Sequence, residues 1–236
     1  AALAYEQTID RDHCVLVFDA GGGTTDCSMV MVGPSWRTRR DRSASVLATV
    51  GERIGGNDLD MRLAARLLLP HLGKGDLLKD GREIPSASLF DAIEISDVNA
   101  QLRFLSAATG RWIRETLPKV AAPRRFTRFA RMHEDRNNIR LIQSAESAKI
   151  RLSTAASSKL DLRYLEKELF VGISREQFDE AVEKDLAKMI GLLQETQKLA
   201  QVKPDVIFVT GGTGRSPVIR EMRKFGHNWM VHEPAK

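Results

Sequence analysis

Of the 236 residues only two are cysteine, which excludes a disulfide scaffold and leaves buried free thiols in a reducing cytosol as the default reading. No apolar run reaches the roughly 18 residues of a membrane span. The five histidines never fall at the i, i+4 spacing of a zinc helix, so no protein-ligated zinc site is expected. Aromatic residues make up 6% of the chain and no nucleic-acid motif is present. The arginines at 37, 39, 40 and 42, and those at 124, 125, 128 and 131 with Phe126 and Phe129 between them, therefore read as solvated loops despite a net charge of +5, and nucleic acid is not an expected partner. The opening residues Ala1 to Glu6 carry neither Met nor a basic segment. They are not a signal peptide and look like a helix cut in the middle, so an excised, cytoplasmic fragment is expected. Neither Gly-x-x-x-x-Gly-Lys-Ser/Thr nor Gly-x-Gly-x-x-Gly opening a helix occurs, which removes the Walker P-loop and the dinucleotide fold.

What is present is organised around residues 15–32. Residues 13–19 and 25–32 read as the strands of a hairpin, the first a buried run through Val15 to Phe18 that ends in Asp19. Gly21, Gly22, Gly23 and Thr24 follow, then Asp26 and a second β-branched run. Glycines at a hairpin tip tolerate positive φ and let a ligand approach the main chain, and successive bare N–H groups suit a phosphate. Asp19 and Asp26 bracket that loop. Two carboxylates would repel a phosphate unless a hydrated cation or an attacking water lies between them, so the pattern points to a metal–nucleotide complex.

Further along, Gly33-Pro34-Ser35 marks a turn and 44–50 suits a third strand of an antiparallel meander. Gly55-Gly56 precede a helix through Leu59, Leu63, Leu67 and Leu68, with Asn57 or Asp58 as its N-cap; glycines before a helix N-terminus form a second anion-friendly station. Residues 70–137 carry weak helical periodicity and read as a mostly helical insertion. A helix is predicted over 138–153, strands over 157–164 and 169–173. Ser174-Arg175-Glu176-Gln177 is a capping box that opens a long amphipathic helix ending near Val202. The strand Asp205 to Val209 then runs into Thr210-Gly211-Gly212-Thr213-Gly214-Arg215, a third glycine station at the carboxyl end of a strand, with a helix expected from Pro217 or Val218.

These three stations in this order, together with Ala145-Glu146-Ser147-Ala148-Lys149 on the internal helix, resemble the actin-like ATPase superfamily and, within it, the DnaK-type (seventy-kilodalton heat-shock) chaperones. The matching stretches are 1–5, 17–28, 54–60, 145–153 and 208–217; the region 70–137 matches poorly. The resemblance implies an α/β, ribonuclease-H-like lobe with a mixed sheet flanked by helices and an inserted α+β subdomain, with 1–60 and 174–236 forming the core and 61–173 the insertion. It further implies that Gly21, Gly22, Gly23 and Thr24 grip the phosphates of ATP or ADP. Asp19 and Asp26 would hold hydrated Mg2+ and position the attacking water. Gly55 and Gly56 would lie near the phosphate tail, Glu146 would accept from the ribose, and Lys149 and Ser153 would approach ribose and adenine. Gly211, Gly212 and Thr213 would form the adenosine loop, with Arg215 against the adenine face. The sequence departs from the family pattern at Ile150, where an arginine is usual, and at Arg53, Asn57 and Gly214. The family's first phosphate loop and its catalytic Lys and Glu precede the equivalent of Ala1. The resemblance is thus to the second lobe alone, with the missing first lobe as a partner and with little turnover expected from this chain by itself. It also implies a nucleotide-exchange factor or co-chaperone as a further partner. The alternatives that remain open are an interaction module working through the insertion and an actin-like or sugar-kinase relative.

Overall fold

The computed structural model describes residues 5–215 and 228–231, with side chains through residue 213. Of the helix end expected over residues 1–9, residues 1–4 lie outside the described residues, as does the helix expected from 217 or 218. The chain divides into two compact units, Ala1–Asp58 with Glu183–Lys236, and Leu59–Val182.

The first unit is built on a five-stranded sheet in the order β3-β2-β1-β6-β7. The strands are β1 (His13–Ala20), β2 (Thr25–Val32), β3 (Val46–Glu52), β6 (Val206–Thr210) and β7 (Asn228–Val231). The first three form an antiparallel meander, whereas β6 lies parallel to β1 and to β7. The sheet is therefore mixed, as the resemblance implied. Alternation along β1 decides which side chains go where. Cys14, Leu16, Phe18 and Ala20 join Cys27 and Met29 in one buried layer, together with Met189, Leu192 and Leu193 from the carboxyl half of the long helix. Val15 and Val17 point the other way, against Val32, Val206, Phe208, Tyr5 and Ile9. Each fully buried Leu, Phe or Met in such a layer contributes roughly 1.5–3 kcal/mol. Strand β3 begins two residues later than the sequence suggests, because a short 3-10 turn covers Ser43–Ser45 and the β2–β3 register shifts at Met29/Val30.

The second unit is mostly helical. Helix α1 (Gly56–Leu63) leads into it and passes through a π-helical turn, Ala64–Leu68. Four helices follow over the poorly legible region: α2 (Ala87–Ile93), α3 (Val98–Phe104), α4 (Ala107–Thr116) and α5 (Arg124–Glu134). Their shared core is aromatic. Phe104, Phe126 and Phe129 are fully buried, and Trp112 meets Phe126 edge-on at 5.7 Å. Helix α6 (Asn138–Leu152) and the two-stranded ribbon β4 (Ser157–Asp161) and β5 (Phe170–Ser174) complete it. The first expected strand of this pair is shorter than 157–164, since 162–165 turn instead. Helix α7 (Arg175–Ala200) opens at the capping box: Ser174 N–H donates to Gln177 Oε1 at 2.9 Å, and Gln177 N–H donates to Ser174 Oγ at 3.2 Å. No helix among the described residues is long and apolar enough to cross a membrane.

Candidate functional site

The carboxyl ends of β1 and β6 and the start of α1 bring the three glycine stations together within the first unit. At the hairpin tip Ala20 pairs with Thr25, and Gly21 N–H donates to Thr24 O at 2.9 Å, closing the four-residue loop. Gly22, Gly23 and Thr24 are exposed. None of the three glycines takes a positive φ, so their service here is openness: a Cβ at Gly23 would meet nothing within 4 Å, and one at Gly22 would meet Asn57 Oδ1 at 3.4 Å.

Main-chain hydrogen bonds hold this loop from below. Gly56 N–H donates to Gly21 O at 2.9 Å and Asn57 N–H to Gly22 O at 2.7 Å. The first-turn donors of α1 thus support the phosphate-type loop instead of standing open to an anion themselves. Gly55, and not Asn57 or Asp58, takes the N-cap position; Asp58 reaches back to accept from Gly55 N–H at 2.7 Å, the return half of a capping box. The approach is close enough that a Cβ on Gly55 would stand 2.6 Å from Gly22 O. From the third station, Thr213 Oγ1 donates to Gly21 O at 3.1 Å. Gly211 has φ +88, and a Cβ there would collide with Ala20 O and stand 2.8 Å from Asp19 Oδ1. Only glycine allows β6 to leave the sheet this close to β1.

Asp19 and Asp26 are direct partners across the β1–β2 ladder, both exposed. They share the sheet face opposite to Phe18 and Cys27. Like charges directly opposite one another on a hairpin are destabilising, and a cation placed between them would relieve that repulsion. No group of three or more His, Cys, Asp or Glu side chains among the described residues could hold a metal directly. A cation that keeps its water shell and takes its remaining oxygens from a phosphate fits two carboxylates.

Glu146, Lys149 and Ser153 lie on or at the end of α6 in the second unit. Glu146 is exposed. Ser153 caps the helix and its hydroxyl donates to Ile150 O at 2.7 Å. Ile150 is 61% exposed. Lys149 Nζ donates to Asp60 Oδ2 at 2.7 Å. Asp60 is buried, and burial pushes its carboxyl up to about 6 despite the lysine. Arg215 closes the 3-10 turn Gly212–Arg215; its side chain lies outside the described residues.

The roles of four residues escaped the sequence reading. Gly51 on β3 pairs with Asp26, and a Cβ there would collide with Asp26 Oδ1; only the register reveals this. Thr25 is fully buried and donates through Oγ1 to Ile54 O at 2.7 Å, fastening the second station to the hairpin. Asp58, expected as the N-cap, sits instead three residues past it and accepts from Gly55 N–H, and Asp60 is buried. A capping-box spacing measured back from Asp58 to Gly55 was the available signal for the former; for Asp60 there was none.

The first arginine cluster lies on a largely exposed stretch, as expected, with two of its members anchored, whereas the second lies on helix α5 and not in a loop. Arg42 pairs with the buried Glu6 at 2.6 Å, and Arg37 donates to Ile9 O at 2.6 Å. In the second cluster Arg125 pairs with Asp76 at 2.9 Å, Arg124 with Glu166 at 2.5 Å, and Arg128 also with Glu166, while Phe126 and Phe129 belong to the core. Cys14 and Cys27 are free and buried, and burial raises their thiols to about 11 and about 12, which makes them packing groups and not nucleophiles.

Comparison with known proteins points the same way as the glycine stations. The family model described as Hsp70 protein matches residues 125–228. The chain is 27% identical over 234 residues to the chaperone protein DnaK of Prochlorococcus marinus (strain MIT 9515), covering 95% of this chain and 28% of that protein. It is 25% identical over 233 residues to the chaperone protein dnaK3 of Thermosynechococcus vestitus (strain NIES-2133 / IAM M-273 / BP-1), covering 94% of this chain and 25% of that one. The chain thus spans about a quarter of the length of the curated relatives it matches.

Proposed function

We propose that this chain, a relative of the DnaK-type Hsp70 chaperones, is a nucleotide-binding lobe of a cytoplasmic chaperone ATPase, taking ATP and ADP with Mg2+. The observation that carries this reading is the joining of three sequence-distant glycine stations by Gly56 N–H to Gly21 O, Asn57 N–H to Gly22 O and Thr213 Oγ1 to Gly21 O, next to two opposed carboxylates.

In this reading the exposed loop Gly22 to Thr24 presents main-chain N–H groups to the β- and γ-phosphates. The rigid start of α1 fixes the loop so that little ordering entropy is lost on binding. Asp19 and Asp26 hold the metal's water shell and orient an in-line water. Bound Mg2+ supplies charge neutralisation at the phosphate oxygens. Gly211, Gly212 and Thr213 carry the adenosine. Glu146, Lys149 and Ser153 are the ribose and adenine contacts that the resemblance assigns. Lys149 already has Asp60 as its counter-ion, so the lysine is held in one place and its charge is shared. Gly55 and Gly56 act as the loop's support.

Calorimetry with Mg-ADP beside a phosphate-release assay tests the proposal. Weak, magnesium-dependent binding is expected, lost in Gly22→Val and without multiple turnover, because the resemblance assigns the first phosphate loop and the catalytic Lys and Glu to another lobe. Unchanged affinity in Gly22→Val would remove the loop from the site, and robust turnover by this chain would refute the lobe assignment.

A second reading, a docking surface for a nucleotide-exchange partner on the second unit, is favoured by one observation. Val98 and Leu102 on α3 are 72% and 63% exposed and lie one helical turn apart. If it holds, Leu102→Asp abolishes exchange-factor-stimulated ADP release while leaving Mg-ADP affinity as it was; stimulated release at the wild-type rate would discard it.

A further inference from the structure

Helix α5 carries Arg124, Arg128 and Arg131 at i, i+4 and i+7, one stripe facing the turn after β4. They line, with Thr127, Leu165 and Glu166, an open cavity of about 290 Å³. Arg124 donates Nε and Nη2 to Glu166 Oε1 at 2.9 and 2.5 Å. Arg128, whose side chain is 9% exposed, donates Nε to Glu166 and Nη1 to His71 O at 3.1 Å. Arg131 Nη1 donates to Leu165 O at 3.0 Å. Three guanidiniums carry roughly fifteen N–H donors in fixed forks, and the cavity lining sets a single carboxylate against their three charges.

Two groups nearby register the surplus. The paired arginines pull the Glu166 carboxyl down to about 2. His71, whose carbonyl accepts from Arg128, is held below its usual value chiefly by burial, with Arg128 and Arg125 adding to the effect. Forked guanidiniums match the oxygens of a phosphate two at a time, and a cavity at the lower limit of ligand pockets suits one small anion and not a whole nucleotide.

The geometry points to a phosphate-binding cleft on the second unit, formed by Arg124, Arg128 and Arg131, that takes a phosphate dianion either free or as a monoester. It is independent of the nucleotide loops of the first unit. Calorimetric titration with inorganic phosphate and with O-phosphoserine, at constant ionic strength against chloride, tests it in four forms of the chain. Wild type and Gly22→Val bind, Arg124→Gln/Arg131→Gln made in the Gly22→Val background weakens binding at least about tenfold, and Glu166→Gln, which removes the competing charge, strengthens it. The tighter of the two probes identifies the source. Phosphate binding that survives undiminished when the double arginine substitution is made in the Gly22→Val background, or that disappears with Gly22→Val alone, overturns the inference. Should the double variant fail to fold, the amide resonances of residues 124–131 and 165–166 in the wild-type chain decide: they shift on phosphate addition, and silence there overturns it equally.

Discussion

The two units solve the same problem, fastening loops to a scaffold, with different materials. In the first, main-chain bonds do most of the fastening at the hairpin tip, aided by two threonine hydroxyls: Gly56 and Asn57 N–H meet the carbonyls of Gly21 and Gly22, Thr25 and Thr213 donate to Ile54 O and Gly21 O, and Asp205 N–H meets Cys14 O at 2.8 Å. Glycine is what lets the backbones approach. In the second, side chains carry the load, through an aromatic core and through arginine–carboxylate pairs that reach 38 and 42 residues along the chain from α5 to Glu166. Loops held by their own backbone leave their tips bare and open to a ligand. Turns held by long charged side chains bring electrostatics that a ligand must either use or displace.

The sharpest way to break this contrast is to remove a side chain from the second unit. Phe126→Ala empties a fully buried site and is expected to cost about 4 kcal/mol, read by denaturant unfolding. A cost under about 1 kcal/mol would mean that the aromatic cluster is not what holds the insertion. Adding a single Cβ to the first unit should come close. Gly55→Ala places that atom 2.6 Å from Gly22 O and is expected to destabilise by about 2–3 kcal/mol, with loss of Mg-ADP affinity. Full affinity would show that the support of α1 is dispensable.

The charge pairs of the second unit predict a pH signature. Glu166 has its carboxyl lowered, so its stabilising contribution is complete above about 4.5, its ordinary value, and is lost as pH falls through about 2. Asp60 is raised, so the opposite sign applies: its contribution is complete below about 3.8 and is lost as pH rises through about 6. Acid titration of thermal stability should therefore flatten below pH 4 in Glu166→Gln and flatten between about 4 and 6 in Asp60→Asn. Curves parallel to wild type would refute the arginine pairing of Glu166 in the one case and the burial shift of Asp60 in the other. The smallest effect belongs to a cap: Ser174→Ala removes one side of the capping box of α7 and should cost about 1 kcal/mol, measured by the same unfolding curves.

The contrast also explains what could be read from the sequence. The hairpin was legible because β-strand alternation and glycines at the tip are local signals; β1 and β2 fall within a residue of their expected limits. The second unit was legible only as helical. Its arginines on α5 find their partners at Glu166 and Asp76 in distant turns, and no spacing rule links position 128 to position 166. The same reason hid Asp60, whose partner Lys149 lies 89 residues away, and Gly51, whose small size makes sense only once its neighbour Asp26 is known. The capping box at Ser174 and Gln177, a purely local motif, appeared as written. At Gly55 the motif was also local, yet the apolar run that begins at Leu59 drew the expected cap, Asn57 or Asp58, two or three residues too late.

The central claim, that the three glycine stations of the first unit act as one nucleotide site, has a direct test in the amide resonances of the chain titrated with Mg-ADP. The account requires coordinated shifts at residues 21–24, 55–57 and 211–213 with a common affinity, abolished by Gly22→Val. Shifts confined to one of these segments, or absent from all three while nucleotide still binds, would contradict it.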